Sequence, residues 1–236
     1  MNLIVTALQD WGAKLYKTFI ATSYYEMLAE GLLNTILITI GALIIGILIG
    51  TLITFIKYLA EENSGLRFLS RLCDAYVTAI RGIPVVVLLL IFYFIIMRSS
   101  TNGVLVAIIT FGINSGAYMA ELIRSGINAV DAGQTEASRC LGLSRMQTMA
   151  RIILPQAVRY VLPAMGNEFI ALLKETSVAG YVAVSDLTRA GNLIRNNTYD
   201  AVNPLLVVAL TYLALVVILT KLLGILERRL AKSDKR

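Results

Sequence analysis

Five stretches of this chain are long and apolar enough to cross a lipid bilayer as helices. About 20 consecutive, mostly apolar residues suffice for one crossing. The stretches run roughly from Leu28 to Tyr58, Leu69 to Met97, Val104 to Val130, Ala157 to Val182 and Ala201 to Leu226, the fourth being the weakest. The expected fold is therefore an all-α membrane protein with about five transmembrane helices. Composition agrees: 57% of the residues are hydrophobic and 15% charged, against roughly 45–50% and 25% in soluble domains. Mean hydropathy is +0.74. One membrane domain accounts for the length, with no room for a second soluble domain of ordinary size.

Residues 26–230 are read as this domain, with a cytoplasmic hairpin at 131–156 and a basic cytoplasmic tail at 231–236. Residues 1–25 are read as an N-terminal interfacial segment. Within it Ala7 to Phe19, with Trp11, Lys14, Tyr16 and Lys17, suits an amphipathic helix lying in the membrane surface. The apolar stretch from Leu3 to Leu8 is too short for a signal-peptide core, so the N-terminus is expected to stay in place.

The net charge of +6 does not suggest nucleic-acid binding, because the basic residues lie mostly in short connections between apolar runs. Their distribution gives orientation instead. With the N-terminus outside, 14 Lys and Arg fall in cytoplasmic stretches and 5 in outer ones. The positive-inside rule then places the C-terminus in the cytoplasm. There is no histidine, and the two cysteines, Cys73 and Cys140, lie on the cytoplasmic side as expected free thiols. A zinc site is not expected. Lys57, Glu61, Glu62 and Asp74 read as interfacial or solvated. In the first span Gly46 and Gly50 form a small-xxx-small pair that lets another helix approach closely.

Between the third and fourth stretches the pattern changes. Ala137, Cys140, Leu141 and Ser144 share one helical face, and Glu136 and Arg139 stand at pairing distance on another. Gly142 falls where a short helix would end in the left-handed conformation. Ser144 and Gln147 have capping-box spacing for a second helix, whose apolar stripe would be Met146, Met149, Ala150 and Ile153. Pro155 ends that pattern or sets the turn into the next span. Two short helices held at the cytoplasmic surface are expected. Their apolar faces are too small to form a core alone, so they must pack on the chain or dock into a partner.

These residues resemble the cytoplasmic motif of the permeases of ABC importers: Glu-Ala-Ala, three residues, Gly, nine residues, Ile-x-Leu-Pro. Here Glu136-Ala137-Ser138, Gly142, Ile152, Leu154 and Pro155 stand at that spacing, with Ser for the second Ala. Arg81-Gly-Ile-Pro84, Ala117 to Arg124, Gly133-Gln134, Leu154 to Ala157 and Lys174 to Ser177 look like the polar amino-acid branch of that family. Ile83 and Thr78 depart from the branch's usual pattern. The resemblance implies a type I importer permease with Glu136, Ala137, Arg139, Gly142, Leu154 and Pro155 coupling it to an ATPase. It also implies an ABC ATPase subunit dimer that binds ATP and Mg, an extracytoplasmic amino-acid-binding protein and a second permease chain. No phosphate-binding loop of the G-x-x-x-x-G-K-[ST] type occurs in the sequence, so any ATP hydrolysis belongs to a separate subunit. No cofactor is expected in this chain, nor enzymatic activity.

Charges inside a bilayer cost several kcal/mol and need a reason. Arg81 lies midway in the second stretch beside Gly82 and Pro84, a trio that suggests a kinked helix. Glu121 lies in the third, about two turns after Asn114 and Ser115, and Glu168 in the fourth. One reading makes these residues a path for a zwitterionic amino acid. Arg81 or the backbone near Gly82 would meet the carboxylate, Glu121 or Glu168 the ammonium or a cationic side chain, and Asn114 and Ser115 would add neutral hydrogen bonds. The other reading is structural, with Arg81–Glu121 and Glu168–Lys174 as internal ion pairs. An ion-gradient-driven transporter or channel fits buried charges equally well, but gives the hairpin no role.

Overall fold

The computed structural model describes residues 11–233, and among these all regular structure is helical. The Leu3–Leu8 stretch, the start of the expected interfacial helix and the end of the basic tail lie outside the described residues. The long helix α1 (Tyr24–Ala60) leads through a tight turn into α2 (Arg67–Gly82) and α3 (Val85–Ile91). After a π turn (Phe92–Ile96) comes α4 (Gly103–Asn128). The hairpin is α5 (Ala132–Cys140) and α6 (Arg145–Thr148), and α6 runs through a second π turn (Met149–Ile153) into α7 (Leu154–Glu175). A 3-10 segment (Thr176–Val182), α8 (Leu187–Thr198) and α9 (Asn203–Ser233) complete the chain.

The largest interface lies between α1 and α4, and glycines create it. A Cβ on Gly46 would stand 2.7 Å from Ser115 Oγ, and one on Gly50 only 2.7 Å from the backbone nitrogen of Ala120. From the other side Gly112 and Gly116 admit Ile45 and Ile49, whose atoms lie 2.7 Å from the Cβ positions. Small residues let the two backbones approach closely, and dispersion then accumulates along the seam. Thr54 Oγ1 donates to the Gly50 carbonyl at 2.9 Å and reaches the Ala120 carbonyl at 3.3 Å, crossing the seam. Of the most apolar part of each helix, 61% is buried in α4 but 6% in α9. So α4 is the hub and α9 lies at the edge. The main core gathers Ile38, Ala42, Leu89, Phe111 and Leu172 around α4.

The expected second span is not one straight helix. Its two halves are bent by 107° at Ile83–Pro84. Proline lacks an N–H and drives the residue before it out of the helical region, and Ile83 is extended, with φ −100° and ψ 129°. The span count also differs. Among the described residues three helices are long and apolar enough to cross a membrane, or four if the bent pair is one span. The expected fourth span is α7 with its 3-10 extension, and Arg159, Glu168, Lys174 and Glu175 make α7 too polar to qualify by composition.

Pro155 does not end the second hairpin helix. It sits in the first turn of α7, where its missing N–H costs little. The π turn before it absorbs the register change, the Leu154 N–H reaching back to the Met149 carbonyl.

Helix α8 was not expected. Asp186 caps it, its carboxylate accepting from the Thr188 and Arg189 N–H groups, and Leu187, Ala190, Gly191 and Ile194 form its buried face. The start of α1 holds this corner: Asn34 Nδ2 donates to the Ser185 carbonyl at 2.9 Å, and the Leu187 N–H donates to Thr35 Oγ1 at 3.1 Å. The described part of the N-terminal segment also docks there. Trp11 Nε1 donates to Asn203 Oδ1 at 2.7 Å, Lys14 pairs with Asp200 at 3.3 Å, and Phe19 is buried. The Asn203 amide donates to the Asp200 carboxylate, which it and the nearby backbone N–H groups and Lys14 hold down at about 2. A carboxyl depressed in this way adds stability above its unfolded value of about 3.9, and the contribution disappears as pH falls through the folded value.

Two outcomes test this packing. Gly50→Ala should destabilise the folded chain by about 1–3 kcal/mol, because backbone cannot retreat as a flexible side chain does. Gly224→Ala, with nothing within 4 Å of its Cβ position, should be neutral or slightly stabilising in the same detergent melt. Trp11 is the sole tryptophan, so Asn203→Ala should red-shift its emission as the indole loses its partner, and unchanged emission would mean that the segment is not held there.

Candidate functional site

The polar groups gather where α1, α2 and α4 meet below the 107° bend. A cavity of about 380 Å³ is lined there by residues including Thr54, Lys57, Asp74, Thr78, Arg81 and Glu121. A second cavity, of about 350 Å³, lies at the break itself and is lined by Arg81, Gly82, Ile83, Pro84, Val85, Asn114, Tyr118 and Glu175. Arg81 lines both. It is the last basic residue of α2, exposed within this single chain, and its guanidinium lies 5.3 Å from the centre of the Tyr118 ring. An arginine over an aromatic face keeps its charge while losing little hydration. The bend matters chemically, because a broken helix frees backbone groups that are tolerated only where they meet protein or a polar cavity.

The structure divides the six residues expected to bind substrate. Arg81, Gly82, Asn114 and Glu121 line the two cavities. Ser115 and Glu168 do not join them. Ser115 is fully buried against Gly46 in the seam, and its hydroxyl donates to Glu168 Oε1 at 3.4 Å, linking α4 to α7. Successive helical residues point about 100° apart, so Asn114 and Ser115 cannot face the same space. Neither expected ion pair forms. Glu121 pairs with Arg124 one turn on, and Glu168 with Ser115, so both carboxylates have partners other than Arg81 and Lys174.

Sequence reasoning passed over several residues here. Tyr118 and Glu175 face Arg81 across the upper cavity, and only the fold brings them there. Lys57 and Asp74 are not simply solvated: they form a 2.5 Å ion pair between α1 and α2 at the rim of the lower cavity. Glu61 and Glu62 both reach Arg145 of the hairpin. Among the described residues no cluster of three or more His, Cys, Asp or Glu is arranged to hold a metal.

The hairpin closes as its glycine requires. Gly142 has φ +80°, and the N–H groups of Gly142 and Leu143 bond back to the carbonyls of Arg139 (3.0 Å) and Ser138 (3.1 Å). Those paired bonds are the Schellman closure of α5. Ser144 and Gln147 then form a reciprocal capping box that starts α6. The face shared by Ala137, Cys140 and Leu141 points outward and is not packed on the rest of the chain. Leu141 is 83% exposed, and Glu136, Ala137, Arg139, Cys140 and Gly142 are exposed too. Ser138 is the buried residue of α5. No ion pair joins Glu136 to Arg139. The hairpin packs on the chain through its other end, where Ile153 meets Val130 and Ala157, with Ile127, Met149 and Ile152 around them. Within the intended stripe Met146 and Ala150 remain exposed.

Residues 46–232 match the family described as binding-protein-dependent transport system inner membrane component. The chain is 34% identical over 209 residues to a putative glutamine transport system permease protein, GlnP, of Rickettsia bellii (strain RML369-C), covering 87% of this chain and 94% of that one. It is 34% identical over 208 residues to the arginine transport system permease protein ArtQ of Bacillus subtilis (strain 168), covering 87% and 93%. A crystal structure of an amino acid ABC transporter with histidines superposes with a TM-score of 0.81 at 36% identity, over 89% of this chain and 96% of that one. The fold is shared with an inward-facing methionine ABC transporter, at a TM-score of 0.70 and 24% identity, over 90% and 98%.

Cysteine labelling checks the division of polar residues. In a background with Cys73 and Cys140 changed to Ser, Arg81→Cys and Thr78→Cys should react with a charged, hydrophilic thiol reagent, whereas Ser115→Cys should not. Equal labelling of all three would place Ser115 in the cavity after all.

Proposed function

The chain belongs to the family of binding-protein-dependent transport system inner membrane components, and from this we propose that it is half of an amino-acid-importing pore driven by a separate ATPase. It is a multi-pass amino-acid ABC transporter permease.

The observation that carries the coupling reading is the exposed face of α5. A rigid, doubly capped hairpin puts Leu141, Glu136, Ala137, Arg139 and Gly142 on the surface, while the residues near Leu154 and Pro155 anchor it to α7. A solvent-exposed leucine beside an ordered helix has no role in the isolated chain and suits a groove on an ATPase subunit. Such a body passes conformational work only if it moves without bending, and the paired caps supply that stiffness. ATP and Mg would be bound by a dimer of those subunits. An extracytoplasmic binding protein would deliver substrate from the other side, and a second permease chain, identical or similar, would complete the pore. The excess of Lys and Arg on the hairpin side favours a cytoplasmic C-terminus and an external N-terminus in a prokaryotic plasma membrane.

For the cargo, a polar and possibly basic amino acid suits the two cavities best. Relatives carry names of glutamine and arginine systems. Arg81 with the freed backbone at Gly82 would take the carboxylate, Asn114 would add a neutral hydrogen bond, and Glu121 or Glu175 would face the ammonium end. Ser115 and Glu168 would act by holding α4 to α7. Alternating access would expose these cavities to one side and then the other.

Purification of the tagged chain from its own cell should bring down an ATPase subunit, and Gly142→Asp should release it while the membrane helices stay folded. Substitution at Gly142 forces a side chain into the left-handed region and breaks the hairpin's closure. In vesicles, the complex with its binding protein should take up amino acids on ATP, with Arg81→Gln abolishing uptake. A chain that carries no ATPase and moves solute on an ion gradient would overturn the proposal.

A further inference from the structure

We infer that Arg145 is a positioning residue that latches the hairpin to the cytoplasmic end of α1, so that hairpin movement is passed to a helix to which it has no chain connection. This rests on the coupling reading above. By chain continuity the hairpin joins only α4 and α7. The backbones of α1 and the hairpin scarcely approach, and a cleft of about 600 Å³ separates the tip of α1 and the end of α4 from the hairpin.

Arg145 spans that cleft and is held by both its side chain and its backbone. Its guanidinium pairs with Glu61, lies 3.5 Å from Glu62 and stacks 4.2 Å from the centre of the Tyr58 ring. The Tyr58 hydroxyl donates to the Arg145 carbonyl at 3.0 Å. An exposed ion pair alone would contribute little, and both glutamates are exposed. The stack and the backbone hydrogen bond fix the geometry that a loose pair would lack.

Local helix electrostatics argue that these charges serve the contact between helices. Arg145 is the first residue of α6 and Glu61 caps the C-terminal end of α1. A cation at a helix N-terminus and an anion at a C-terminus each oppose the helix dipole. Each charge stands at the unfavourable end of its own helix, and the other one compensates it. Behind Arg145 the capping box of Ser144 and Gln147 fixes the backbone, and α6 continues through the π turn into α7. Ahead of it, α1 is locked to α4 along the glycine seam. One latch therefore closes a loop of packed elements: hairpin, α1, α4 and back to the hairpin.

The test uses the complete complex in vesicles, with ATP hydrolysis and amino-acid uptake measured on the same preparation. In Arg145→Ala the ATPase subunit should stay bound and hydrolysis should continue, while uptake per ATP falls roughly tenfold, within the usual range of coupling between sites. Tyr58→Phe, which removes only the hydroxyl, should give a smaller loss in the same ratio. The exchange Arg145→Glu with Glu61→Arg should recover part of the ratio lost in Arg145→Glu, since it restores the pair in the dipole-favoured order. An unchanged ratio in Arg145→Ala, or no recovery in the exchange, overturns the latch. Loss of the bound ATPase subunit in Arg145→Ala also overturns it, by making Arg145 part of the docking surface. If the unmodified chain binds no ATPase, the coupling reading itself fails, and the latch fails with it.

Discussion

The close approach of α1 and α4 is the contact on which the rest of the structure depends. Lipid tails are as apolar as leucine, so the usual drive to bury hydrocarbon is weak between membrane helices. What remains is contact density, and glycine on both helices raises it. Gly46 and Gly50 receive α4, and Gly112 and Gly116 receive Ile45 and Ile49. With that seam fixed, α2, α3 and α7 pack on α4, while α8 is held by the first part of α1. Arg81, Asn114 and Glu121 stand where they do because α4 cannot slide.

The membrane-embedded charges are handled in three different ways. Arg81 sits at a helix break, over an aromatic ring, beside two cavities. Glu121 has its own arginine one turn away. Glu168 accepts from Ser115 and so joins two helices. An exposed arginine in mid-membrane is stable only if protein or water covers it, and this single chain leaves Arg81 exposed. The hairpin repeats this pattern: α5 is ordered by its own caps, yet leaves Leu141 uncovered. Both surfaces make sense in an assembly larger than one chain.

Much of the architecture was legible in the residues. Apolar length identified three spans and the bent pair but counted α7 as a fifth, whereas Gly142 announced its left-handed turn and Ser144 with Gln147 the capping box, because those rules act within a few residues along the chain. Even α8 had a readable signal, in Asp186 followed by apolar residues at helical spacing. The rest depended on distant partners. The kink read at Pro84 is there, and the structure adds its size, a bend of 107°. Glu61 and Glu62 are solvated as read, but their pairing with Arg145 was hidden because that partner lies more than 80 residues away in the chain. For Ala137, Cys140 and Leu141 periodicity showed that a face exists and left open whether the chain or a partner covers it; the fold leaves it exposed.

By itself the sequence determined that this chain is a helical membrane protein, where its helices break and cap, and which family motif its hairpin carries, because those features follow from local hydrogen bonding, apolar length and glycine and proline stereochemistry. The tertiary structure alone decided which polar residues share a space. Asn114 and Ser115 are neighbours in the chain, yet one lines a cavity and the other is sealed against Gly46. The reason is geometric: side-chain direction on a helix is fixed locally, but what lies in that direction depends on how the helices pack.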